Sequence, residues 1–111
     1  MKPFDIFVAY ITWGNSGKSR PVLVMEKNGN IYRVFSITTQ YQNKSGNIQA
    51  KYMEIQDWQQ AGLHKKSYID ANKKIDLPTS VVSKKTPIGQ LTSKDKLNLL
   101  NFLNQIKEYH T

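Results

Sequence analysis

The chain has 111 residues, no cysteine, 39% apolar and 22% charged residues, and sixteen Lys and Arg against eight Asp and Glu, a formal charge of +8. That length suits one hydrophobic core, the apolar share excludes wholesale disorder, and the lack of cysteine excludes disulfides, thiolate metal sites and a thiol nucleophile. The positive excess favours polyanions through attraction and counterion release, so nucleic acid is the first partner to consider, with a merely solubilising surface as the plain alternative.

Met1-Lys2-Pro3-Phe4-Asp5 lacks the apolar core and small-residue cleavage site of a signal peptide, and no run approaches the length of a membrane span, which predicts a soluble cytoplasmic protein. Phe4 to Thr12, rich in aromatic and β-branched residues, predicts a strand, and Trp13 to Ser19 a polar, glycine-punctuated loop after it. Arg20 to Glu26 predicts a second strand with Pro21 at its start, where a strand proline is tolerated. Asn28-Gly29 supplies a two-residue hairpin turn before a strand from Ile31 to Ile37. Tyr41 to Asn47 has too few apolar side chains to be held by packing and reads as a mobile loop. Ile48 to Ile55 alternates in part, as a half-buried strand does, and Gln56 to Ala61 predicts a helical turn ended by Gly62. Short strands are expected at Ser67 to Asp70, around Ile75 and at Val81-Val82, limited by Pro78 and Pro87. Thr92 is expected to cap a terminal helix, with Asp95 at a box-like spacing and Leu97, Leu100, Leu103 and Ile106 forming its packed stripe, Phe102 alongside. Residues 1–111 therefore read as a single domain, mainly β with α: a strongly bent sheet of five to six strands with a C-terminal helix, SH3-like barrel being the preferred architecture.

Gly14-Asn15-Ser16-Gly17-Lys18-Ser19 invites comparison with a phosphate-binding P-loop, but only two residues separate its glycines and a strand, not a helix, follows. His64 and His110 stand in no metal-ligand spacing, so no metal and no cofactor is expected. Cutting RNA without a metal needs a group that helps deprotonate the ribose 2′-hydroxyl, a donor to the leaving oxygen, and donors on the crowded phosphate. Arginine suits the last task because its planar fork bonds two phosphate oxygens. Arg20 stands at the mouth of a strand, and Thr38 and Thr39 follow one; read singly, each is equally an ordinary surface or strand-end residue. Trp13 and Tyr41 flank polar loops, where they either stack on unpaired bases or anchor those loops, while Trp58 packs the short helical turn. Lys18, Lys44 and the Lys65-Lys66 pair either track a phosphate backbone or are simply solvated.

Taken in order, Phe4-Asp5-Ile6, then Gly17-Lys18-Ser19-Arg20-Pro21-Val22-Leu23-Val24, Ile37-Thr38-Thr39-Gln40 and Ile88-Gly89-Gln90-Leu91 resemble the MazF/PemK-like toxins over nearly the full chain. The resemblance implies an SH3-like barrel with a C-terminal helix. It further implies a homodimer, metal-independent sequence-specific cleavage of single-stranded RNA such as mRNA, and a small cognate antitoxin protein that occupies the RNA groove. By position it makes Arg20 a phosphate-stabilising or acid/base residue and Thr38 a phosphate-binding one. Asp70 matches a strand-end acid implicated in RNA binding or catalysis, a turn or surface acid being its plain reading. The catalytic set is thus Arg20, Thr38 and Asp70, with Lys18, Thr39, Gln40, Trp13, Tyr41 and Lys44 as RNA-binding residues. Phe4 replaces the glycine that usually precedes the aspartate of the first strand, and Ala71 and Lys73 replace a common glutamine and a frequent arginine. Two other functions fit the same fold: a non-catalytic module binding RNA, DNA or a partner protein, and a gyrase poison.

Overall fold

Strands β1 (Asp5–Trp13) and β2 (Ser16–Asn28) make one long antiparallel hairpin, paired from Trp13↔Ser16 to Ile6↔Leu23. The glycine-rich stretch after Trp13 is therefore not a free loop. Only Gly14 and Asn15 turn, Gly14 with a φ of 55°, and Gly17 to Ser19 lie in the ladder. Gly-Asn between strands is itself a two-residue turn signal, and polar residues can continue a ladder because pairing uses their backbone rather than their side chains. At Gly17 the Tyr10 ring lies so close that a Cβ would overlap it. In computed structural coordinates residues 1–109 are described, apart from the side chains of Lys73, Glu108 and Tyr109; His110 lies outside them.

The next turn falls at Gly29-Asn30, one residue later than expected, with Gly29 at φ 62°, and leads into β3 (Ile31–Thr38). The start of the strand expected from Ile48 is instead α1 (Gly46–Gln49), where the Ser45 hydroxyl accepts from the Ile48 amide, so β4 covers only Tyr52–Glu54. Tyr68–Pro78 forms one continuous β5 where two short strands were expected. The strand expected at Val81-Val82 is helical, α2 (Thr79–Val82). Pro78 precedes it, Thr79 N donates to Asn30 O, and the turn delivers Val82 into the core. β6 (Gly89–Gln90) and α3 (Ser93–Tyr109) complete the chain.

The strands form one antiparallel sheet in the order β4-β5-β3-β2-β1-β6. Among the described residues no ladder joins β4 to β6. The turn after β4 comes back against β6 instead: a Cβ on Gly62 would overlap Ile88 O, and one on Gly89 would overlap Ala61 O. Gly62, at φ 90°, also needs the left-handed freedom of glycine. No helix among the described residues is long and apolar enough to cross a membrane.

Alternation along the strands buries both faces. Ile6, Leu23, Phe35, Ile37 and Ile69 point into the first core, where Leu99, Phe102 and Leu103 of α3 and Trp58 join them. Phe7, Ala9, Val22, Val24 and Val34 point the other way, into a second cluster completed by Tyr32 and Val82. The packed face of α3 differs from the expected stripe: Leu97 and Leu100 are 61% and 48% exposed, while Asp95 and Leu99 are wholly buried. A buried carboxylate fixes this rotation. Asp95 accepts from Gln56 N at 3.1 Å and Asp57 N at 2.9 Å, and Thr92 Oγ1 donates to Asp57 at 2.7 Å, so the start of α3 holds the turn after β4. Removing the carboxylate leaves two backbone donors without their partner, at about 1–3 kcal/mol for each such group. Asp95→Ala should therefore lose about 2–4 kcal/mol in chemical denaturation, with Asp95→Asn losing less because one acceptor remains; a loss under 0.5 kcal/mol would contradict the role given to this clamp.

Candidate functional site

The second sheet face is apolar only along part of its length. Moving along the strands from Val22 to Arg20, from Val34 to Ser36 and from Ala9 to Trp13, the same face turns polar. The pairings Tyr52↔Asp70 and Ser36↔Asp70 set three polar side chains side by side on β4, β5 and β3. Arg20 reaches this row from β2: its Nη1 donates to Ser36 Oγ at 3.4 Å. These residues, with Trp13, Lys44 and Lys74 at the rim, line a cleft of about 540 Å³. Ile11 and Ile75 pack on the second apolar cluster and also line the cleft, forming its apolar end.

Arg20 is held from two directions. Its guanidinium carbon lies 5.2 Å from the centre of the Trp13 ring, a cation–π distance, and Trp13 remains 47% exposed. Its Nε is buried and has no hydrogen-bond partner. The guanidinium as a whole lines the open cleft, and a pre-positioned cationic fork there is suited to an anion. Arg20 also borders a second, smaller depression of about 110 Å³, lined by Lys18, Thr38, Thr39 and Gln40. The Thr38 oxygen accepts from Gln40 N at 3.0 Å, which leaves the hydroxyl proton free to donate.

The residues singled out from the sequence thus fall around Arg20 in two groups: Trp13, Lys44 and Asp70 in the larger cleft, and Lys18, Thr38, Thr39 and Gln40 in the smaller. Tyr41 lies apart from both lining sets. Its ring stacks on Tyr68 with centroids 4.4 Å apart and planes 8° from parallel, and its carbonyl accepts from Gln49 Nε2. This stack and the Ser45 cap tie down the stretch expected to be a mobile loop. Lys66 pairs with Glu54 at 3.4 Å rather than reaching the cleft. Among the described residues no three His, Asp or Glu side chains are grouped as metal ligands would be.

Ser36, Tyr52 and Lys74 were not anticipated. Ser36 carried a usable signal, a single polar residue inside Val34-Phe35-Ser36-Ile37, and it is only 6% exposed. Tyr52 becomes significant only through its register opposite Asp70. Burial, then the charge of the Asp70 carboxylate and a hydrogen bond to it, hold the Tyr52 hydroxyl above the ordinary tyrosine pKa of 10.0, with nearby Arg20 acting the other way. One Asp70 oxygen accepts from Asn72 N at 2.9 Å. No protein-family model matches this chain, nor does any curated protein or solved structure.

Because burial and Asp70 both disfavour the phenolate, Tyr52 should keep its proton to higher pH than an ordinary tyrosine. The tyrosinate absorbance lost on Tyr52→Phe should have a midpoint above pH 10.0, and Asp70→Asn should lower that midpoint while leaving the part due to burial. A midpoint below 10.0 would contradict this environment.

Proposed function

We propose that this chain is an endoribonuclease of the MazF/PemK type, built on an SH3-like barrel, which cuts single-stranded RNA without a metal. The observation that carries this reading is Arg20: a guanidinium braced by Trp13 and Ser36, with an unpartnered buried Nε, beside a cleft that also holds a carboxylate. Such a group binds the non-bridging oxygens of a phosphodiester and stabilises the charge that builds on them as a fifth oxygen approaches phosphorus. Thr38 donates to a phosphate oxygen in the smaller depression. Asp70 is the nearby acceptor for the proton of the 2′-hydroxyl, whose oxygen then attacks phosphorus. Trp13 stacks on an unpaired base, and Lys18, Lys44 and Lys74 hold flanking phosphates.

On the same reading the protein is the cytoplasmic toxin of a toxin-antitoxin pair and works as a homodimer. A small acidic antitoxin would inhibit it by occupying the cations that RNA needs. The chain's charge of +8 supports both the RNA and the acidic partner.

The test is incubation of the purified protein with long single-stranded RNA in EDTA. Discrete fragments ending in 2′,3′-cyclic phosphate and beginning with 5′-hydroxyl are expected, and Arg20→Ala should lower the rate by about 10²–10³-fold, the scale for loss of one preorganised oxyanion donor. Full cleavage by Arg20→Ala overturns the site. Retention of RNA or DNA without any cleavage makes the chain a binding module and overturns the activity.

A further inference from the structure

Given the nuclease reading above, we infer that the Tyr52 hydroxyl is the acid that protonates the leaving 5′-oxygen, and that Asp70 afterwards returns the proton to it. A guanidinium and a carboxylate account for the phosphate and the attacking oxygen, but expulsion of an alkoxide also needs a proton donor, because an alkoxide is a poor leaving group near neutral pH. Tyr52 lines the same cleft as Arg20 and Asp70 and is the direct cross-strand partner of Asp70. Ser36, which receives the Arg20 guanidinium, is the partner of Asp70 on its other side. The backbone positions of Tyr52 and Ser36 thus stand two strand spacings apart, about 9–10 Å, with that of Asp70 between them. All of these side chains line the one cleft, which is roomy enough for a phosphodiester and its two reacting oxygens.

The proton balance closes within this set. The 2′-oxygen forms its bond to phosphorus as its proton passes to Asp70. The bond from phosphorus to the 5′-oxygen breaks, its electron pair stays on that oxygen, and the Tyr52 proton neutralises it. The products are a 2′,3′-cyclic phosphate and a 5′-hydroxyl, with Asp70 protonated and Tyr52 a phenolate. When the cleft empties, the proton passes from Asp70 to its cross-strand neighbour Tyr52, restoring the starting state without an outside donor. A phenol holds its proton at neutral pH in any case, and burial beside Asp70 acts in the same direction. One Asp70 oxygen is engaged by Asn72 N, which leaves the other for the exchange.

The test first maps a junction that the wild-type protein cuts in long RNA. It then compares a short oligoribonucleotide carrying that junction with one whose leaving 5′-oxygen is replaced by sulfur. A thiolate leaves without protonation, so the need for an acid disappears. Tyr52→Phe, which keeps the ring and its packing, should slow cleavage of the oxygen substrate by about 10²-fold or more, within the range for a lost general acid, and cut the sulfur substrate within a few-fold of wild type. Arg20→Ala should be slow on both. Full speed of Tyr52→Phe on oxygen, or equal slowing on oxygen and sulfur, overturns the assignment while the nuclease reading stands. A wild-type protein that cuts neither RNA overturns the nuclease reading and this assignment with it.

Discussion

Where β3 passes from Val34 to Ser36, its neighbour β5 does not keep step. Val34 is opposite Ile75 and Ser36 is opposite Asp70, so the stretch of β5 between them bulges away from the ladder. Asp70 stabilises the departure by accepting from Asn72 N, a local turn that aspartate favours, and Ala71 N bonds Lys51 O on the β4 side. A regular strand here would have continued the close packing of Val22, Val34 and Ile75. The bulge instead breaks the register, with Asp70 at one end of the excursion and Lys74 near the other, both lining the opening. The cleft therefore follows from a break in register, and the carboxylate that lines it also holds the break in place.

The sheet can support an open polar cleft on one face because the other face carries much of the packing. The first core, α3 and the Asp95 clamp join the turn after β4 to the region of β6, so both sheet edges are fixed without help from the cleft. That division leaves Ser36 and Arg20 free to adopt an arrangement that apolar packing would not select, including an unpartnered buried Nε. A second local cost is visible at Phe4, whose φ of 72° lies in the left-handed region that a non-glycine residue enters at about 1–2 kcal/mol. It is held there by Phe4 N bonding Val24 O, by Leu91 N bonding Phe4 O and by packing of the ring on the first core.

Much of the strand pattern was legible because apolar alternation and turn residues act locally. The terminal helix and the β2–β3 hairpin are of this kind. What escaped the sequence depended on partners distant along the chain. The stripe Leu97, Leu100, Leu103 and Ile106 has good helical spacing, yet Asp95 must reach Gln56 and Asp57, and that requirement turns the helix so that Leu97 and Leu100 face out. Thr92 caps the helix, its Oγ1 accepting from Asp95 N, while the Asp95 carboxylate, expected in a box within that helix, serves a segment 38 residues away from it at Asp57. The cleft shows the same limit. Arg20, Trp13 and Lys44 could be singled out by residue type and position, and Asp70 through the resemblance, whereas Tyr52 and Ser36 gain meaning only from the register that places them on either side of Asp70. Tyr41 had the composition of a base-stacking residue, but a stacking partner within the chain, Tyr68, already covers one face of its ring.

Charge arrangement adds a further constraint that net charge alone does not contain. Glu26 and Asp76 pair with Arg33, and Glu54 with Lys66. Asp5 accepts from Lys2 N and Gln90, Asp57 from Thr92, and Asp95 from the backbone after β4. Most of the acidic side chains are thus committed to holding the fold, while Arg20, Lys44 and Lys74 gather around a cleft whose lining includes one carboxylate, Asp70. The field of these cations reaches out from the opening over roughly a Debye length, about 8 Å at physiological salt. At shorter range the field is not uniform, because Asp70 stands among the cations, opposite Tyr52 in the ladder. A cleft meant only to grip phosphate would gain from a neutral or basic residue there, since a carboxylate repels the ligand it would be holding. A carboxylate among the cations, directly across the strand pair from a phenol that keeps its proton, supports the proposal of a site that moves protons as well as binding charge.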